Sequence, residues 1–277
     1  MERHPFGWTG VQVPLIGQGS WRLDDEDRPG AIASLRRGIE LGMTHIDTAE
    51  SYGNGEVEKI VGEATAGRRE QVFLVSKVSP GHATRHGTVK ACEQTLTRLR
   101  TGYLDCYLLH WPGRHPLADT IAAFEQLVSD GKIRSWGISN FNEDDVEEAV
   151  HIAGPNRIAC NQVLYHLGER SIEHYILPTC VRHEIAVVAY SPFGQGRFRS
   201  HLVLEEIARG KGATPRQVAL RFLVRHPSVV TIPKAATQAH VEDNAGAGDL
   251  QLTEDEIRRI DEAFPAKEPR RGHLPVL

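Results

Sequence analysis

At 277 residues, with 40% hydrophobic and 25% charged side chains, the chain has the composition of a globular protein and not of a disordered or fibrous one. Its 32 basic and 36 acidic residues leave a net charge of -4, which excludes the broad cationic field of a duplex or anionic-membrane binder. Length alone allows two domains of ~150 residues or one large α/β barrel, so the pattern along the chain decides between them.

Residues Met1 to Trp8 hold no apolar signal core, and no run of ~18 apolar residues follows, which predicts neither export by that route nor a membrane span. The four cysteines, Cys92, Cys106, Cys160 and Cys180, form no Cys-x-x-Cys pair and read as reduced thiols of a cytoplasmic protein. Trp8 falls in an expected N-terminal hairpin that caps a barrel bottom. Eight short apolar runs then recur: Val13 to Ile16, Met43 to Ile46, Val72 to Val75, Leu104 to Leu109, Ile133 to Ile138, Ile158 to Cys160, Ile185 to Ala189 and Val229 to Ile232. Their near-continuous apolarity is that of parallel strands covered on both faces.

The segments between them carry the helical period, as in Val89, Cys92, Leu96 and Leu99, or Leu117, Ile121, Phe124 and Val128. Start signals agree: Asn142 before an acidic turn, Thr214 with Pro215, and Thr253 with Glu256. No long linker interrupts the alternation, so residues 1–277 are expected to form a single barrel domain. Of the five Gly-x-Gly triplets, none places a third glycine where a doubly wound dinucleotide fold needs it. Each strand is instead followed by a functional side chain: Asp47, Lys77, His110, Ser139 and Asn140, Gln162, Tyr190 and Ser191, Lys234. A closed (β/α)8 TIM barrel brings all of these to one rim, where active sites of that fold assemble.

Taken singly these residues are weak evidence, since a strand-end Asp commonly caps a helix and a loop Tyr commonly packs. Together, Asp47, Tyr52, Lys77 and His110 make an arrangement that resembles the aldo-keto reductases. The resemblance also covers Gly17-Gln18-Gly19-Ser20-Trp21, Asn161-Gln162, Tyr190-Ser191-Pro192-Phe193-Gly194 and Ile232-Pro233-Lys234, and so nearly the whole chain. It implies NADPH-dependent reduction of small aldehydes and ketones by hydride transfer, with NADH as a possible substitute, because no side chain donates hydride. Tyr52 is then the general acid, Lys77 depresses its pKa, Asp47 holds Lys77 charged, and His110 positions the carbonyl.

By the same resemblance Ser139, Asn140 and Gln162 bind the nicotinamide carboxamide and Tyr190 stacks on its ring. Ser191, Gly194 and Gly196 present backbone to the pyrophosphate, with Arg197 adding charge. Ile232 and Lys234, at the end of the last strand, are expected at the cofactor, the retained Lys234 favouring NADPH, and Glu242 and Asn244 match positions that contact adenine. The chain departs from the family at Ala235 and His240, where a Ser and a phosphate-gripping Arg are usual. Trp21, Trp111 and Phe193 are expected to line the substrate pocket, and short loops imply an open site. His82 and His86 have helical metal spacing but no third ligand, so no metal is expected. A small-molecule carbonyl is the expected partner of a monomeric enzyme that binds neither nucleic acid nor membrane. Two rivals are a non-catalytic nicotinamide-binding subunit and a Schiff-base lyase that uses Lys77.

Overall fold

The computed structural model describes residues 1–276. Strands β1 (Arg3–Pro5) and β2 (Gln12–Pro14) pair antiparallel, with Arg3 opposite Pro14. The turn between them drives Phe6 into the barrel bottom, where its ring sits 4.6 Å from that of Phe73. Gly7, at φ +57°, lies where an added Cβ would be 2.4 Å from the Ala159 carbonyl oxygen, so only glycine lets the hairpin seat this closely.

Eight parallel strands follow in sequential order: β3 (Gln18–Gly19), β4 (His45–Asp47), β5 (Phe73–Val78), β6 (Leu104–Leu109), β7 (Ile133–Ser139), β8 (Ile158–Leu164), β9 (Ala186–Tyr190) and β10 (Val229–Thr231). Bridges from Ile16 to Thr231 and from Gly19 to Lys234 join the first strand to the last and close the TIM barrel. One expectation is corrected here. The run Val13 to Ile16 is not the first barrel strand: Val13 and Pro14 belong to the hairpin, Ile16 only bridges to Thr231, and the strand itself is Gln18–Gly19. Hairpin and barrel both bury this run, so its apolarity could not tell them apart. The true strand hides a polar residue, Gln18, whose amide donates to the Leu35 and Met43 carbonyls at 3.2 and 2.9 Å.

The helices are α1 (Arg28–Glu40), α2 (Glu56–Thr65), α3 (Arg85–Leu99), α4 (Leu117–Ser129), α5 (Glu143–Ala153), α6 (Ile176–Arg182), α7 (Leu202–Lys211), α8 (Pro215–Leu223), α9 (Gln238–Gly246) and α10 (Glu254–Ala263). Asn142, Thr214 and Thr253 each close a capping box at the predicted helix starts. One apolar core fills the barrel around Val75, Leu108, Val188 and Val230, and a larger one joins the strands to the helices. After α10 the tail folds back, and its Gly272 N–H donates to Glu143 Oε1 at 2.8 Å. Among the described residues, no helix is long and apolar enough to cross a membrane.

Candidate active site

The carboxyl ends of the strands surround a cavity of about 660 Å³. Asp47, at the end of β4, lines its floor, and Lys77, near the end of β5, lies beneath the lining; both are buried. The Lys77 ammonium donates to Asp47 Oδ1 at 2.5 Å, to the Thr48 carbonyl at 2.8 Å and to the Tyr52 hydroxyl at 3.3 Å. Its three protons thus have three acceptors, the condition for keeping a buried ammonium charged. Gln162 donates to the other Asp47 oxygen at 2.7 Å.

Tyr52 sits on a tight turn after β4 that the sequence permits at Gly53, where φ is +54°. An added Cβ there would lie 2.4 Å from the Asp24 carboxylate, so conformation and contact both call for glycine. The His110 ring packs edge-on to that of Tyr52 with centroids 5.7 Å apart, and its Nδ1 lies 3.4 Å from the Ser51 hydroxyl. Asp47, Tyr52, His110, Trp21 and Trp111 all line the cavity, with Lys77 buried directly behind Tyr52.

Electrostatics assign the protons. Burial opposes the Lys77 charge, but Asp47 and Tyr52 outweigh it and hold the ammonium above the usual lysine range. Burial pushes the Asp47 carboxyl up, while Lys77 and Gln162 pull it back. His110 is pushed down to about 2 by burial and then by the Lys77 charge, so its imidazole is neutral and can donate one hydrogen bond. Lys77 acts on Tyr52 in the expected direction, its charge and its hydrogen bond both pulling the phenol down, but burial is the larger cause and with Asp47 leaves the net shift upward. Loss of hydration costs the phenolate more than one ammonium restores.

One wall of the cavity is a linked polar shelf. Ser139 donates to the Gln162 carbonyl at 2.9 Å, Asn140 to the His110 carbonyl at 3.0 Å, and the Tyr190 hydroxyl to Asn140 Oδ1 at 2.9 Å. Ser191, Ile232 and Lys234 line the same cavity. Gly194 and Gly196 adopt positive φ in the following loop, while Arg197 is exposed and outside the lining. Phe193 is not brought to the cavity: it is buried 5.5 Å from the Phe198 ring, with the Arg216 guanidinium 3.8 Å over its face.

The distal residues divide. Lys234 pairs with Glu26 at 2.5 Å, and His240 is exposed on the first turn of α9. Glu242 points away, accepting from Arg37 at 2.8 Å, whereas Asn244 is buried with both amide atoms unpartnered. His82 lies 2.9 Å from Glu50, and among the described residues no cluster of His, Cys, Asp or Glu could hold a metal ion. Sequence reasoning missed Ser51, Gln195 and the tail residues Leu274 and Val276 as lining groups. Ser51 adjoins Tyr52 and was within reach, but nothing in the tail signals its return.

A barrel with this buried Asp–Lys–Tyr chain and a neutral His at its mouth defines a carbonyl-polarising reductase site, and the sequence profile of the Aldo/keto reductase family matches residues 15–264. The chain belongs to that family. It is 48% identical over 274 residues to methylglyoxal reductase YeaE of Escherichia coli (strain K12), covering 96% of each chain. It is 35% identical over 255 residues to glyoxal reductase of Bacillus subtilis (strain 168), covering 91% of this chain and 90% of that one. An aldo/keto reductase of Klebsiella pneumoniae, solved in complex with NADP and acetate, superposes with a TM-score of 0.94 at 42% identity over the whole of both chains.

Proposed function

We propose that the protein is an NADPH-dependent reductase of small aldehydes and dicarbonyls. The observation that carries this reading is the continuous chain from Asp47 through Lys77 to the Tyr52 hydroxyl, which opens into the cavity beside a neutral His110. The cavity fits a dinucleotide on its own chemistry. A polar shelf of Ser139, Asn140 and Gln162 lines one wall with Tyr190 beside it, and outside the lining, on α9, the buried Asn244 amide has an unpartnered donor and acceptor that match an adenine edge. NADPH, when bound, supplies the hydride.

The protein's own part is the proton and the orientation. His110, whose Nδ1 lies 3.4 Å from the Ser51 hydroxyl, presents an Nε2 proton to the carbonyl oxygen in its Nε2–H tautomer, the one in which Ser51 is the donor. Tyr52 passes its hydroxyl proton to that oxygen as negative charge develops there. Lys77, 3.3 Å behind, stabilises the phenolate left on Tyr52, and Asp47 keeps Lys77 in place. The Tyr52 phenol, shifted upward from an ordinary value of about 10 that already lies well above neutrality, is protonated before reaction, as a donor must be. The same ammonium weighs against a Schiff-base nucleophile, which needs a neutral amine.

Two half-exposed indoles, Trp21 and Trp111, frame the mouth beside the tail residues Leu274 and Val276, an apolar rim that suits two- or three-carbon oxoaldehydes. The names of the two reductase relatives point to the same substrates. Four free buried cysteines support a cytoplasmic setting, the unbroken ladder of strands supports one domain, and the scattered exposed apolar side chains support a monomer. The test is Tyr52→Phe assayed with NADPH and methylglyoxal. Turnover is expected to fall by about 10²- to 10⁴-fold with NADPH binding kept within about threefold; retained turnover rejects the assignment.

A further inference from the structure

The cation that follows β10 is already engaged. Lys234 lines the cavity, and its ammonium donates to the Glu26 carboxylate at 2.5 Å across the seam where β3 meets β10. Glu26 is the third of four consecutive acidic residues, Asp24 to Asp27. The other three have separate tasks: Asp24 packs on Gly53, Asp25 faces Arg22 at 3.7 Å, and Asp27 caps α1 by accepting from Gly30 N–H at 2.9 Å. Among the described residues Glu26 is the one carboxylate within ion-pair distance of Lys234, and neither side chain has another ionic partner.

We propose that Glu26 is a specificity-determining residue that restrains the preference for NADPH over NADH by competing with the 2′-phosphate for Lys234. This rests on the proposed function and takes Lys234 as the cation that meets that phosphate, since it lines the cavity while Ala235 and His240 bring no guanidinium. A 2′-phosphate must draw Lys234 away from Glu26, or bind beside a carboxylate that repels it. NADH, without that group, leaves the pair intact. Lys234 and Glu26 are 32% and 38% exposed, so solvent screens the pair and the competition is worth about fivefold in affinity, not orders of magnitude.

The experiment is titration of the full-length protein with NADPH and with NADH, followed by quenching of intrinsic tryptophan fluorescence. Glu26→Gln should tighten NADPH binding about fivefold and leave NADH within about twofold. Glu26→Lys should extend the gain for NADPH, and raising the salt concentration should shrink the difference between Glu26→Gln and the wild type. In a Lys234→Ala background, Glu26→Gln should change NADPH binding by less than about twofold, because the ammonium it competes for is gone. Parallel changes for both dinucleotides, weaker NADPH binding, no change, or an undiminished effect without Lys234 each overturn the proposal alone. A wild-type protein that binds neither dinucleotide overturns the reductase reading and this proposal with it.

Discussion

The two ends of the cavity are built on opposite principles. At the reacting end, Asp47 and Lys77 are buried at 1% and 0% exposure, and every proton of the ammonium has an acceptor. At the distal end, Lys234 pairs with Glu26 in a partly exposed ion pair between separate elements, and outside the cavity lining Arg37 pairs with Glu242 in the same way. Removing one partner of a buried pair strands a charge in low dielectric, whereas an exposed pair reverts to water at little cost. Geometry is therefore fixed at the reacting end, while at the distal end the proposed cofactor preference rests on a pair that single substitutions shift by small factors.

The sharpest way to break this contrast is Asp47→Asn. It leaves the Lys77 ammonium buried beside a neutral amide, and the loss of a buried partner is expected to cost about 3 to 5 kcal/mol of unfolding free energy, read by urea denaturation. Turnover should fall as well, because the freed Lys77 no longer stays behind Tyr52. A loss below about 1 kcal/mol would put the buried and exposed pairs on one footing and remove the contrast.

A smaller effect follows from His110. Its folded pKa, about 2, lies below the ordinary value of 6.5, so between those limits the unfolded chain binds a proton that the folded chain does not. Stability attributable to this neutral burial is thus full above about 6.5 and is lost as pH falls toward about 2. His45, pushed down to about 3 by burial and then Lys77, acts in the same direction. His110→Gln should therefore lower the proton uptake on unfolding near pH 5 by about one, seen as a shallower slope of unfolding free energy against pH. An unchanged slope would mean that the His110 site is not desolvated.

The reacting end was legible in the sequence because it uses local rules. Asp47, Lys77 and His110 each close an apolar run, and a parallel barrel delivers strand ends to one rim. What stayed hidden depends on distance along the chain or on the balance of large terms. Glu26 and Lys234 are 208 residues apart, and the tail residues Leu274 and Val276 reach the cavity without any periodic signal. A lysine near Tyr52 could be inferred, but not that burial would outweigh it. Phe193 stood in a motif with functional neighbours, yet its side chain turns into the packing against Phe198 and Arg216.

The smallest predicted effect concerns Glu242, where sequence resemblance and geometry give different answers. The resemblance puts Glu242 on adenine, while the structure leaves it 49% exposed on the outer face of α9, bonded to Arg37 on α1. The buried neighbour with free hydrogen-bonding capacity is Asn244. Glu242→Gln should then alter NADPH and NADH affinity by less than about twofold, since an exposed pair contributes little and touches no ligand. Asn244→Leu, which fills the same space without donor or acceptor, should weaken both dinucleotides by about tenfold, because neither can then be read at the adenine edge. If titration reverses the two, with Glu242→Gln costing tenfold and Asn244→Leu nothing, the adenine is held from the outer face of α9. The exposed pair would then be part of the binding site, not a surface contact beside it.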